Sequence, residues 1–182
     1  MLETLIEPLD AIASLSPRLA LREAAPLLTA TAGYAELQQA VRRTLTNAPR
    51  MAPQPSFETL ARAEGWSLEL FLWAGGAATP IHDHTSWGIY VCLAGALGEE
   101  RYTRLDDELE HGIARLRQDW QAVWRPGEQS ELLPYSGGIH RVRNAGVMPA
   151  VSLHLYGPQG QVDGRDYDPR RDFVCDRPLL AA

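Results

Sequence analysis

In the segment TPIHDHTSWG, His82 and His84 stand two apart on what reads as an extended run. Side chains alternate faces along a strand, so both imidazoles project one way and Asp83 the other. Adjacent imidazoles suit Zn, Cu, Fe or Ni. The plain alternative is a pair of surface histidines on an edge strand. A second segment, GGIHRVRN, supplies His140, 58 positions after His82. In a barrel that separation brings a later strand back beside the first, which makes His82, His84 and His140 one candidate metal site. A third segment, AVSLHLYGP, alternates Ser152, His154 and Tyr156 with Val151, Leu153 and Leu155. Polar groups inward and apolar groups outward invert the usual core pattern. Either this is a solvent-facing strand with three ordinary polar residues, or it is a Ser–His–Tyr relay that presents a phenol to a metal-bound ligand.

Positioning such groups needs strands, and the sequence from Trp66 onward supplies them. WSLELFLWA, WGIYVCLAGA, EERYTRL, ELEHGIARLR, WQAVWRPG, ELLPYSGG and AVSLHLYGP follow one another, rich in aromatic and β-branched residues and punctuated by Gly or Pro. That rhythm predicts a mainly β fold, a small antiparallel barrel. Residues 1 to 47 are Leu- and Ala-rich and read as helices broken at Pro8, Pro17, Pro26 and Gly33; Tyr34, Leu37, Val41 and Leu45 form one apolar stripe. NAPRMAPQPS is a linker or strap. The expected organisation is one domain over 1–182: a helical front to 62, a barrel over 63–160 and a C-terminal tail over 161–182 packing on it.

The chain's 182 residues suit a single domain. With 45% hydrophobic and 22% charged residues it is no disordered chain. A net charge of −6 and a pI near 5.3 disfavour nucleic acid and anionic membranes as partners. No apolar run suits a membrane helix, and MLETLIEPLD does not read as a signal peptide, so a cytoplasmic location is expected. Two cysteines, Cys92 and Cys175, make no disulfide framework. A monomer or homodimer is expected.

The spacing of Gly76, His82, His84 and Gly95, followed by Gly137, His140 and Asn144, resembles the two motifs of the cupin superfamily, whose fold is a double-stranded β-helix. Gly88 stands where most cupins carry a glutamate. HDHTSWG, GIHRV and SLHLYGP taken in order resemble the thiol dioxygenase family, which includes cysteine and 3-mercaptopropionate dioxygenases. The resemblance covers about Trp66 to Asp168. It implies one mononuclear non-haem Fe(II) per chain on His82, His84 and His140, with O2 as co-substrate. It implies oxidation of a small thiol to its sulfinate, with Ser152, His154 and Tyr156 as an outer-sphere relay. Other readings of the same residues are a carbon–carbon cleaving dioxygenase, a Zn or Mn hydrolase or isomerase, and a non-catalytic small-molecule-binding cupin.

The resemblance also bears on the substrate. Mammalian-type cysteine dioxygenases carry a cysteine, cross-linked to the relay tyrosine, where this chain has Gly88, so no cross-link is expected and Cys92 reads as a buried apolar residue. Arg165, nine positions after Tyr156, matches the spacing of a carboxylate-gripping arginine in bacterial 3-mercaptopropionate dioxygenases. A surface arginine is its plain alternative, and Arg62 is near another such position. Trp87 reads as core or as lining the pocket. These residues favour 3-mercaptopropionate or a related mercapto-acid, with cysteine next. The Gly157-Pro158 bond is left open between cis and trans, and His111 reads as solvent-facing.

Overall fold

The computed structural model describes residues 3–110, 112–160 and 164–176. Three helices lead: α1 (Glu3–Ala13), α2 (Pro17–Ala32) and α3 (Ala35–Thr46). Pro17 opens α2, where its missing N–H costs nothing, whereas Pro8 and Pro26 lie inside helices that continue past them. The front therefore breaks only around Ser14–Ser16 and Gly33–Tyr34, not at each proline. Ala20, Leu21, Ala24 and Leu28 recur at helical spacing on the buried face of α2, and packing of that face holds the helix through Pro26.

Eleven strands follow: β1 (Ser56–Ala63), β2 (Trp66–Trp73), β3 (Ile81–His82), β4 (Gly88–Ala94), β5 (Leu97–Arg104), β6 (Leu116–Trp124), β7 (Gln129–Leu132), β8 (His140–Asn144), β9 (Ala150–Tyr156), β10 (Arg165–Asp168) and β11 (Phe173–Asp176). They form two sheets, β1-β2-β9-β4-β7 and β11-β10-β3-β8-β5-β6, and every pairing between these strands is antiparallel. Glu99 of β5 bonds Tyr90 of β4 and Ser130 of β7, which ties one sheet face to the other. This is the double-stranded β-helix. No described helix is long and apolar enough to cross a membrane.

Each strand of the first sheet serves two cores. Leu68, Leu70, Ile89, Val91, Val151, Leu153 and Leu155 face the helices and share one cluster with Leu5, Leu9, Leu21 and Leu28. Trp73, Tyr90, Cys92 and Ala150 face inward and meet Leu97 and Val142 of the second sheet. The inverted pattern of β9 thus has a physical reason. Its apolar face is buried under helices, about 1.5–3 kcal/mol for each fully covered Leu or Val, which leaves the polar face to line the barrel.

Several elements differ from the sequence expectation. Strand pairing begins at Ser56, inside the stretch assigned to the helical front, because Glu64-Gly65 turns β1 back onto β2. The ELEHGIARLR stretch enters a strand only at Leu116. Before it, Asp106 gathers the Arg104 guanidinium and the amides of Glu108 and Arg115 into a loop. ELLPYSGG leaves the sheet after Leu132, and Pro134 starts a 3-10 turn over Tyr135–Gly138. In the tail, β10 and β11 extend the second sheet instead of only resting on it. The Gly157–Pro158 bond is trans. Gly95 sits at φ 76, and a Cβ there would meet Ala150 at 2.7 Å, so this turn requires glycine.

Candidate metal centre and relay

His82 ends β3, His84 follows it, and His140 begins β8, directly opposite His82 in the register. Their candidate ligand atoms lie within 4.8 Å of one another. The carbonyl of Pro80 can only accept, so His82 donates Nδ1–H to it over 3.0 Å and keeps Nε2 as a lone pair. The Glu99 carboxylate does the same for His140, Nδ1 to Oε1 at 2.8 Å. His84 Nε2 and His140 Nε2 approach to 3.1 Å. Two nitrogens each about 2.0–2.1 Å from one ion, at right-angled to tetrahedral spacing, sit about 2.8–3.4 Å apart. The donor set therefore fits a metal. Burial, reinforced by His82, holds the His140 pKa well below the ordinary imidazole value, which keeps its nitrogen available.

Asp83 points the other way, as alternation requires. Fully buried, it accepts the Arg165 amide at 2.6 Å, Arg165 Nε at 3.1 Å and the Tyr167 hydroxyl at 2.6 Å. It thereby clamps the short β3 to β10.

Glu99 was not anticipated. Fully buried, its carboxylate collects five donors: His140 and Arg101 Nε on Oε1, and Tyr90, Trp124 Nε1 and Ser130 on Oε2. The available signal was its spacing of two from Leu97, a core residue of the same strand.

The side chains of Ser152, His154 and Tyr156 form a continuous chain inside the barrel. Ser152 Oγ lies 2.7 Å from His154 Nε2, and His154 Nδ1 lies 3.0 Å from the Tyr156 oxygen. Trp73 adds a fourth member, its indole N–H donating to Ser152 Oγ at 2.8 Å. An indole only donates. Trp73 therefore fixes one end of the chain as a donor into Ser152, while the directions of the Ser152–His154 and His154–Tyr156 bonds follow the imidazole's tautomer. Burial pushes the His154 pKa down to about 3, so it is a neutral imidazole that donates from one ring nitrogen and accepts at the other. Phe71 and Tyr90 hold its ring at centroid distances of 4.3 and 4.9 Å. The Tyr156 ring lies 5.4 Å from that of His84.

Two expected site residues are elsewhere. Trp87 lies in the helix-side core with Ile89 and Val91, because Gly88, Tyr90 and Cys92 take the inward face of β4. Arg165 pairs with Asp83 and, at 3.3 Å, with Glu108. The register sets Asp166, not Arg165, opposite His82. Arg62 is exposed on the edge strand β1. Cys92 is a buried free thiol, pushed up to about 11 by burial; it faces Ser152, while Tyr156 faces Gly88. His111 lies outside the described residues.

The family model for cysteine dioxygenase type I matches residues 58–169. The cysteine dioxygenase type 1 of Danio rerio is 35% identical over 107 residues, which cover 58% of this chain and 51% of the relative. That of Homo sapiens is 33% identical over 95 residues, 51% and 45% of the two chains. The chain spans about half the length of these curated relatives. Among solved structures, a cupin superfamily protein from Desulfitobacterium hafniense DCB-2 matches with a TM-score of 0.44 and 16% identity, covering 62% of this chain and 85% of that one.

Proposed function

Because the chain belongs to the cysteine dioxygenase type I family, we propose that it oxidises a small thiol to its sulfinate with dioxygen, at one iron(II) ion held by His82, His84 and His140. The observation that carries this reading is the meeting of the three histidines with the Ser152–His154–Tyr156 chain in one barrel interior. When bound, the metal supplies thiol activation and the redox partner for dioxygen.

The protein's residues do the rest. Three neutral imidazoles leave the cation's charge uncompensated, which favours an anionic sulfur. Pro80 and Glu99 fix two of the three rings, so little reorganisation is needed on binding. Tyr156 is the hydrogen-bond donor toward the reacting atoms, and His154 holds its oxygen in place. Ser152, itself bonded by the Trp73 indole, anchors His154 Nε2 and so keeps Nδ1 on the phenol.

The preference for a mercapto-acid depends on Arg165 gripping a carboxylate. Asp83 and Glu108 engage that guanidinium, so the grip requires an exchange of partners. The reaction class does not depend on it.

The test is anaerobic reconstitution with Fe(II), a panel of small thiols, and oxygen uptake read beside sulfinate by mass. One dioxygen consumed per sulfinate formed is the expected result. No uptake with any thiol, together with stoichiometric zinc in the purified protein, overturns the proposal.

Gly88 gives a further expectation. A Cβ at this position would lie 3.0–3.1 Å from Tyr156 ring carbons, so the phenol must shift by a few tenths of an ångström. Gly88→Ala is expected to lower kcat several-fold with unchanged iron content, since small misplacements of a catalytic group are costly. An unchanged kcat would show that Gly88 does not set the phenol's position.

A further inference from the structure

The tryptophan indole and the tyrosine phenol are the ring side chains that most readily give up an electron. In this barrel they form a route from the metal centre to the surface. His140 Nδ1 bonds Glu99 Oε1 at 2.8 Å, and the other oxygen of that carboxylate accepts the Trp124 indole N–H at 2.7 Å and the Tyr90 hydroxyl at 3.1 Å. Trp124 is partly buried against the inner core and lies edge-on to Trp120, with ring centroids 6.5 Å apart. Trp120 is 45% exposed on the edge strand β6. Tyr90 is fully buried and stacks on His154 at a centroid distance of 4.9 Å, so the relay joins the same route. One carboxylate thus stands between a ligand histidine and two oxidisable rings, and the next ring out meets water.

The charges along the route suit the loss of an electron. The Glu99 carboxylate, bonded to both Tyr90 and Trp124, stabilises a ring that has turned positive. The Arg101 guanidinium lies 5.4 Å from the Trp120 ring centroid and opposes this, but Glu99 Oε1 pairs with it at 2.8 Å. Water beside the exposed Trp120 ring takes up the indole proton once an electron has gone. Burial does not account for Trp120, which leaves nearly half of its surface in water.

Resting on the iron(II) reading of the three-histidine site, we propose that Tyr90, Trp124 and Trp120 pass electrons inward from the surface. They thereby discharge peroxide, the partly reduced form of dioxygen, when no bound thiol is there to be oxidised. Two electrons and two protons take one hydrogen peroxide to two waters. Each electron leaves through Trp120, which a thiol in solution restores: two R–SH give R–S–S–R, two electrons and two protons. The sum is H2O2 plus 2 R–SH giving 2 H2O plus R–S–S–R. Without a thiol Trp120 is itself consumed, indole plus H2O2 giving hydroxyindole plus H2O. Either way the ligand histidines and Tyr156 are spared.

The test loads the full chain with iron(II) or with zinc(II), adds hydrogen peroxide without thiol, and maps oxygen insertion by peptide mass. Met51 and Met148, 67% and 71% exposed, report attack from solution. Measured against these two, Trp120 in the iron protein is expected to gain oxygen several-fold above its level in the zinc protein. Trp124→Phe is expected to return it to the zinc level. Trp120 touches neither the ligands nor the relay, so Trp120→Phe should keep the wild-type thermal midpoint and thiol turnover. It should nevertheless lose activity several-fold faster under peroxide, with oxidation moving to Tyr156 and the ligand histidines. Trp120→Tyr keeps an oxidisable ring and should restore most of the protection, whereas a packing role would be served as well by Phe. Equal Trp120 oxidation in iron and zinc protein, or oxidation that Trp124→Phe leaves unmoved, overturns the proposal. Equal peroxide resistance of Trp120→Phe and wild type also overturns it. Absence of sulfinate from every thiol overturns the dioxygenase reading instead, and the mass map then decides on the electron route alone, because iron(II) and peroxide suffice to drive it.

Discussion

Tyr156→Phe is expected to lower kcat by about 10²–10⁴-fold while leaving iron content and thermal midpoint near those of wild type. The magnitude is that of a lost proton donor or acceptor in the transition state. The geometry says why the loss falls on kcat. Pro80 holds His82 and Glu99 holds His140, and phenylalanine keeps the ring that lies against His84. The Tyr156 oxygen is held 3.0 Å from His154 Nδ1, which fixes where the phenol sits. Ser152→Ala makes the same point at one remove. It takes away the acceptor of the Trp73 indole and the partner of His154 Nε2. His154 then loses its anchor at Nε2, and a partial fall in kcat is expected. Steady-state oxygen uptake with sulfinate detection, run beside metal analysis, checks both. A Tyr156→Phe enzyme with wild-type kcat would remove the phenol from the chemistry.

The parts of the site legible in the sequence are those set by local alternation. His82 and His84 share a face because they are two apart, and Ser152, His154 and Tyr156 share one for the same reason. The expectation failed where a residue's face depends on pairing with a distant strand. Arg165 follows Tyr156 at a suggestive spacing. Yet β10 pairs with β3 so that Asp166 is opposite His82, and a one-residue offset sends a side chain to the other face. Trp87 fails by the same parity: its neighbour Gly88 faces Tyr156, so Trp87 goes to the helices. Glu99 sits in EERYTR, a charged run of the strand series. Only pairing of β5 with both β8 and β6 makes its inner face a core face. The helices followed the same logic at a coarser scale. Apolar periodicity predicted them, and burial carried α2 past Pro26.

Removing the charge of Glu99 is the substitution expected to do most damage away from the ligands themselves. In Glu99→Gln one carboxylate oxygen becomes an amide that donates. If that amide replaces Oε1, it confronts Arg101 and His140; if it replaces Oε2, it confronts Tyr90, Trp124 and Ser130. Trp124 and Arg101 can only donate, so neither orientation satisfies the cluster. His140 has an escape, since its Nδ1 can accept from the amide if its proton moves to Nε2. That is the nitrogen facing His84, where a metal would bind. The variant is thus expected to trade a hydrogen-bonding conflict for a blocked ligand. Iron(II) affinity should fall by about 10–100-fold, the usual effect of losing a partner that orients a metal-binding histidine. The metal-free protein should also lose about 3–5 kcal/mol, because Arg101 keeps its charge in a partly buried place without its acid. Chelator competition measures the first effect and urea unfolding of the apo form the second. Imidazole nitrogen shifts of His140 report the tautomer directly. Glu99→Asp separates charge from reach: it keeps the anion on a shorter stem, so it should retain more of the stability than of the metal affinity. Wild-type iron affinity together with an unchanged His140 tautomer in Glu99→Gln would show that the ring is held by its packing alone.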